Sequence, residues 1–300
     1  MSKQRVIIDT DPGLDDAVAI LFALECGRFD VLGLTTVAGN LGIEVTTRNA
    51  GKLLAVLCRR DVPVIPGAAK PFCRQGITEA AVHGDDGLGG VVLPEPSLPL
   101  HQHATEWIAE QLRDAPPGSV QILALGPLTN IARLLREQPD AAERVGRVIA
   151  MGGVLAERGN VGPNSEFNFA CDPEATAVVL ASGLDITLVP LDVTRKVRAD
   201  RAYLDALRGA SLAATTAADL IGAYFKEGLE SRPLHDPCVM LYATNPELFK
   251  VERRHFVVDV SDGPNTGALM ANPAGHQVTV LTNVDAPAAL EVLKNGLSLA

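Results

Sequence analysis

The stretch Val6-Ile-Ile-Asp-Thr-Asp-Pro-Gly-Leu-Asp-Asp-Ala-Val-Ala-Ile20 decides the reading of this 300-residue chain. It opens on a β-branched run, Val6 to Ile8, which predicts a buried strand. It closes on Asp15-Asp-Ala-Val-Ala-Ile-Leu-Phe-Ala-Leu24, which predicts a helix with acids in its first turn. Pro12-Gly13 between them is turn chemistry. Asp9, Asp11, Asp15 and Asp16 therefore crowd the carboxyl end of one strand, where open α/β sheets bind ligands. An acid at a helix start is ordinary, because it caps free N–H groups and suits the dipole. That reading accounts for Asp15 or Asp16 but leaves Asp11 without a local partner. The alternatives are a structural acidic turn and a divalent-cation site. Oxygen-only ligands suit a hard ion, Ca²⁺ or Mg²⁺, rather than zinc.

Working outward, strand-like runs recur and each ends in a turn. They are residues 29–37, 62–65, 119–125, 147–151, 185–191, 255–260 and 277–281. Helical spacing alternates with them at 45–57, 102–114, 131–137, from Pro173, 199–208, 211–230 and from Ala286. Strands alternating with helices predict an α/β fold: an open, mostly parallel, Rossmann-like sheet flanked by helices, with its site at the strands' carboxyl ends. No internal repeat, linker or composition break appears, so residues 1–300 read as one domain. Residues 68–100 form a long irregular stretch rich in Gly and Pro, the kind that is functional or mobile.

Hydrophobic residues make up 47% and charged residues 21%, as in globular chains. No apolar run is long enough to span a bilayer, and the start carries no signal-peptide pattern. A net charge of −10 argues against a nucleic-acid partner. Five scattered cysteines suggest neither a disulfide framework nor zinc and fit a reducing cytoplasm. Four of them read as buried fillers, and Cys238 lies beside a candidate site residue.

Other candidates carry two readings each. Asn40 is a turn residue or a polar contact at the sheet edge. His83, in His83-Gly-Asp-Asp-Gly-Leu-Gly89, is a solvated surface His or one that points into a site. Thr129 or Asn130 is a natural N-cap, as is Asp172 before Pro173. Glu166 and Asn168 alternate with Phe167 and Phe169, which would separate polar from aromatic groups on an extended segment. Asp236 before Pro237 is an N-cap or an ion ligand.

The run Asp9-Thr-Asp-Pro-Gly-Leu-Asp-Asp16 resembles the N-terminal signature of the calcium-dependent, inosine-uridine preferring nucleoside hydrolases. Thr35-Thr-Val-Ala-Gly-Asn40, His83-Gly-Asp-Asp-Gly87, Glu166-Phe-Asn168 and His235-Asp-Pro-Cys238 are similar to further segments of that family. The resemblance implies hydrolysis of the N-glycosidic bond of ribonucleosides to ribose and a free base. It implies Ca²⁺ held by Asp11, Asp16, Asp236 and the main-chain oxygen of Leu125. It places Asp15, Asn40, Asn160, Glu166 and Asn168 on ribose, with Met151, Phe167 and His83 nearby. Asp11 becomes the general base and His235 the first candidate for leaving-group acid, since imidazole titrates near neutrality. A homodimer or homotetramer is also implied. Base preference is not, because Tyr224 lies too early in the chain to match a late stacking aromatic.

Two rivals are weighed against this reading. A haloacid dehalogenase type phosphatase would also place Asp-x-Asp after a first strand, but Pro12-Gly13 departs from its pattern. It would release phosphate from p-nitrophenyl phosphate. A non-catalytic nucleoside-binding protein on the same fold would leave a bound nucleoside intact.

Overall fold

The computed structural model describes residues 3–96, 102–225 and 229–299. The last positions of the irregular stretch, 97–100, the 226–228 portion of the expected helix 211–230 and the first two residues lie outside the described residues.

Eleven strands are described: β1 Gln4–Thr10, β2 Phe29–Thr36, β3 Val64–Pro66, β4 Val120–Ala124, β5 Val145–Met151 and β6 Ile186–Val189, then β7 Arg198–Asp200, β8 Ser231–Pro233, β9 Phe249–Val258, β10 Leu269–Ala271 and β11 His276–Val284. Nine form one sheet in the order β10-β9-β11-β6-β5-β4-β1-β2-β3, and β7 pairs with β8 apart from it. From β3 to β11 all pairings are parallel; β9 runs antiparallel to β11 and β10. The fold is thus the α/β class expected. Strand order reverses between β1 and β4, which opens the crevice where such sheets bind ligands.

Residues of β1 alternate between two cores, as the pleat requires. Val6 and Ile8 pack with the helices Leu14–Glu25, Leu212–Ala223, Pro237–Thr244 and Ala286–Leu297. Ile7 packs on the other face with Ala104–Asp114, Thr129–Glu137 and Pro173–Leu180. Among the described residues no helix is long and apolar enough to cross a membrane.

Several expectations change. Residues 166–169 are not extended: Glu166 caps a short helix, Phe167–Cys171, by accepting from the N–H groups of Asn168 and Phe169. The helix expected to reach 230 ends at Ala223, where the Tyr224 N–H closes back on the carbonyls of residues 220–222. β9 starts six residues before the predicted strand, because Lys250–His255 is exposed and charged and carries no apolar alternation. Cys58 and Cys73 are exposed rather than buried; Cys58 occupies a turn at φ 52°.

Candidate active site

Asp9 does not join the other acids. Its Oδ1 accepts from Thr35 Oγ1 at 2.5 Å and from Asn130 Nδ2 at 2.8 Å, beneath the strand ends. Asn130, expected as an N-cap, instead clamps the floor. It also donates to the Thr36 carbonyl and accepts from the Ala68 N–H. Removing this amide leaves three buried partners short of a bond, at about 1–3 kcal/mol each. Asn130→Ala should therefore lower stability by about 3–5 kcal/mol, read from the urea midpoint at unchanged slope. Asp172, by contrast, is the expected N-cap, accepting from the Ala175 N–H at 3.0 Å.

Asp16 performs the capping role at the helix start. Its Oδ1 accepts from Thr10 Oγ1 at 2.7 Å, and its Oδ2 accepts from the Gly13 N–H and from Asn40 Nδ2 at 3.0 and 3.2 Å. Asp15 caps nothing; its Oδ2 accepts from the His235 N–H at 3.3 Å. Asp236 precedes Pro237 but makes no side-chain cap; its carboxyl turns instead to that of Asp16. Ligand oxygens of Asp15, Asp16 and Asp236 all lie within 4.8 Å of one another. Among the described residues no Lys or Arg forms an ion pair with any of these acids.

Asp11 lies beside this trio, fully buried. Its Oδ2 accepts from the Asn40 N–H at 2.7 Å, while its Oδ1 has no partner. The carboxylate sits in a slot between two glycines: a Cβ at Gly39 or Gly126 would strike it. Burial, then the neighbouring Asp16 charge, pushes Asp11 well above the ordinary carboxylate range. Burial followed by Asp15, Asp16 and Asp11 does the same to Asp236. Asp16 is raised too, by burial and then Asp15. Crowded acids with raised pKa values and an unpartnered oxygen fit a hard divalent cation, since the donors are all oxygen.

Above the acids opens a cavity of about 240 Å³. Asp15, Asn40, His83, Leu125, Met151, Asn160, Glu166, Phe167, Asn168, His235 and Asp236 line it. Asp11 and Asp16 do not line it; they lie behind Asn40, whose Nδ2 bonds the Asp11 carbonyl and Asp16. The Leu125 carbonyl accepts from Asn168 Nδ2 at 2.7 Å. Asn168 also reaches the Met151 carbonyl at 3.2 Å. Asn160 Oδ1 accepts from the Phe167 N–H at 2.9 Å. Glu166 additionally accepts from the Gly153 N–H, and burial raises its pKa to about 7.

His83 points inward. Its Nδ1 accepts from the Leu14 N–H at 3.1 Å, a donor left free at the helix start, so the ring proton is on Nε2. Only glycine fits at position 13, because a Cβ there would meet the His83 ring and the Asn40 amide. His235 Nδ1 lies 2.7 Å from Thr194 Oγ1. Burial, then Arg195 and Arg232, pushes its pKa down to about 3, so near neutrality the imidazole is uncharged.

Sequence reasoning missed the far wall. Tyr224, set aside as too early, lines the cavity and stacks on His83 with ring centroids 5.8 Å apart. The Arg232 guanidinium lies over the Tyr224 ring, 3.9 Å from its centroid, and its buried Nε has no partner. The early helix end and the β7–β8 ribbon bring these two residues together, and no local spacing signals it.

Residues 6–291 match the model of the inosine-uridine preferring nucleoside hydrolases. The chain is 36% identical over 305 residues to the pyrimidine-specific ribonucleoside hydrolase RihA of Salmonella paratyphi B, covering 97% of each. It is 37% identical over 306 residues to an uncharacterized protein of Schizosaccharomyces pombe, covering 96% of this chain and 97% of that one. A solved plant nucleoside hydrolase is similar over the full length of both chains, with a TM-score of 0.92 at 32% identity. A purine-preferring ribonucleoside hydrolase from Gardnerella vaginalis follows at 0.90 and 28%, covering 98% of each chain. The fold, the buried acids and these likenesses agree: the chain belongs to the inosine-uridine preferring nucleoside hydrolase family and is a hydrolase of N-glycosyl bonds.

Proposed function

We propose that this enzyme cleaves ribonucleosides to ribose and a free base, with Asp11 as general base. The observation that carries the reading is the buried trio Asp15, Asp16 and Asp236 beside the unpartnered Oδ1 of Asp11. Asp11, Asp16, Asp236 and the Leu125 carbonyl would hold a calcium ion, with Asp15 turned to the sugar. When bound, that ion supplies positive charge that relieves the carboxylate repulsion and makes a neighbouring water more acidic.

Asp11 accepts a proton from the attacking water as its oxygen bonds to the anomeric carbon. The glycosidic C–N bond breaks, and its electron pair leaves with the base. The transition state gathers positive charge on the sugar, as in other glycoside cleavage. Asp15, Asn40, Asn160, Glu166 and Asn168 supply donors and acceptors for the ribose hydroxyls. Asn168 now spends its amide on the Leu125 and Met151 carbonyls. A sugar hydroxyl takes over one of those bonds when substrate enters.

The base lies toward His83, Tyr224, Arg232 and His235. An uncharged His235 orients and donates a hydrogen bond to the departing base, and Arg232, which lines the same cavity, adds positive charge beside it. The named relatives include one pyrimidine-specific and one purine-preferring enzyme, so a panel of both classes is the proper assay.

The test is base release from uridine, cytidine, inosine and adenosine and their 2′-deoxy forms, with and without a chelator. Release from ribonucleosides that a chelator stops and calcium restores supports the reading. An intact bound nucleoside would favour a binding protein. Asn168→Ala should raise KM about tenfold or more, with calcium binding unchanged by titration calorimetry.

A further inference from the structure

The short helix Leu191–Thr194, between β6 and β7, is clamped from several sides. The Leu191 N–H bonds the Gly153 carbonyl, and the Asp192 carboxylate accepts from the N–H groups of Leu155, Ala156 and Glu157. The segment carrying His235 is tied to the same place. The Leu234 N–H bonds the Val197 carbonyl at 2.9 Å, and Asp15 takes the His235 N–H. Thr194 and His235 therefore meet across a fixed gap, with Oγ1 2.7 Å from Nδ1. Thr194 is fully buried, and among the described residues its hydroxyl has no other partner. Among those residues nothing bonds Nε2 of His235, and the ring lines the cavity.

We infer that Thr194 is a positioning residue that fixes the tautomer of His235: its hydroxyl donates to Nδ1 and keeps the ring proton on Nε2. A hydroxyl carries one proton, and a neutral imidazole offers one donor and one acceptor nitrogen. If Nδ1 held the ring proton, it would donate to Oγ1 and strand the hydroxyl proton in the interior with no described acceptor. Burying an unpaired donor is costly, whereas the reverse arrangement satisfies both atoms. The same inventory excludes a proton on both nitrogens while the hydroxyl points at Nδ1. His83 reaches the same state by another route, since its Nδ1 accepts from the Leu14 N–H. Each ring thus has a donor, not a lone pair, left to offer the cavity. A departing base gathers an electron pair, which donors stabilise and a lone pair would repel. The inference rests on the proposed place of His235 at the base; Thr194 itself touches no substrate.

The test reads the ring directly. Nitrogen-15 NMR of the full chain with calcium at neutral pH should show Nδ1 of His235 unprotonated and Nε2 protonated, the signals being assigned by their loss in His235→Gln. In Thr194→Val, which keeps the shape and removes the hydroxyl, the two nitrogen shifts should move toward each other, and Thr194→Ser should restore their separation. Thr194→Val should lower kcat for the best nucleoside about tenfold or more with KM within about twofold, and Thr194→Ser should recover most of the loss. On p-nitrophenyl β-ribofuranoside, whose leaving group departs without a donor, the Thr194→Val loss should shrink to about threefold or less. A protonated Nδ1 in wild type overturns the inference, and so do unchanged ring shifts in Thr194→Val. An equal loss on both substrates would reduce Thr194 to a structural residue and overturns it too. A wild-type chain that releases no base from any nucleoside fails the proposed function instead, and the ring spectra still decide the tautomer.

Discussion

Asp11→Ala is expected to lower kcat for every nucleoside hydrolysed by about a thousandfold or more. The substitution removes the proton acceptor and a cation ligand together. It also empties the slot between Gly39 and Gly126 and frees the Asn40 N–H. Asp11→Asn separates these effects, since the amide keeps the shape and an acceptor for Asn40 but cannot take the water's proton. Both variants should fail in a reducing-sugar assay, while circular dichroism should show Asp11→Asn folded. Near-normal kcat in either would remove Asp11 from the proton transfer. Retained activity in Asp11→Asn alone would leave it a ligand and no base.

The N-terminal strand, turn and helix were legible because each is specified locally. Val6–Ile8 is β-branched, Pro12-Gly13 makes the turn, and Asp16 reaches back to cap the helix it begins. The sheet followed from the alternation of apolar runs, since parallel strands are buried on both faces. Legibility ended where a role depends on distant residues. Asp9 looked like a fourth site acid, but its partners are 26 and 121 residues away, and they turn it into the floor. The segment 166–169 alternates polar and aromatic residues as a strand does. A five-residue helix is too short to show its own period, and the Glu166 cap decides the outcome. Tyr224 stands too early in the chain to match a late stacking aromatic, yet the helix ends at Ala223 and delivers it to the cavity. An exposed imidazole titrates near neutrality, but burial near two arginines takes His235 out of that range.

Calcium should raise the melting temperature far more at pH 8 than at pH 5. Without the ion, Asp11, Asp16 and Asp236 are all raised from 3.8, chiefly by burial. The folded chain then holds protons that the unfolded chain has released. Stability must fall as pH rises from the unfolded value through the raised ones, because the slope follows protons bound in the unfolded state minus the folded. A cation binds the deprotonated acids and reverses that loss, so its effect grows with pH. At saturation the gain is about 4 kcal/mol, or about 6 °C for a chain this size, falling to half or less at pH 5. Glu166 adds a separate loss between its ordinary 4.5 and about 7, since burial raises it and no cation ligand role is assigned to it. Calcium should therefore restore the part of the acid-to-neutral decline that belongs to the three aspartates and leave the Glu166 part. Thermal scans with chelator and with calcium at pH 5, 6, 7 and 8 read both parts. A calcium shift that is equal at all four values would mean that the ion binds outside the buried acids.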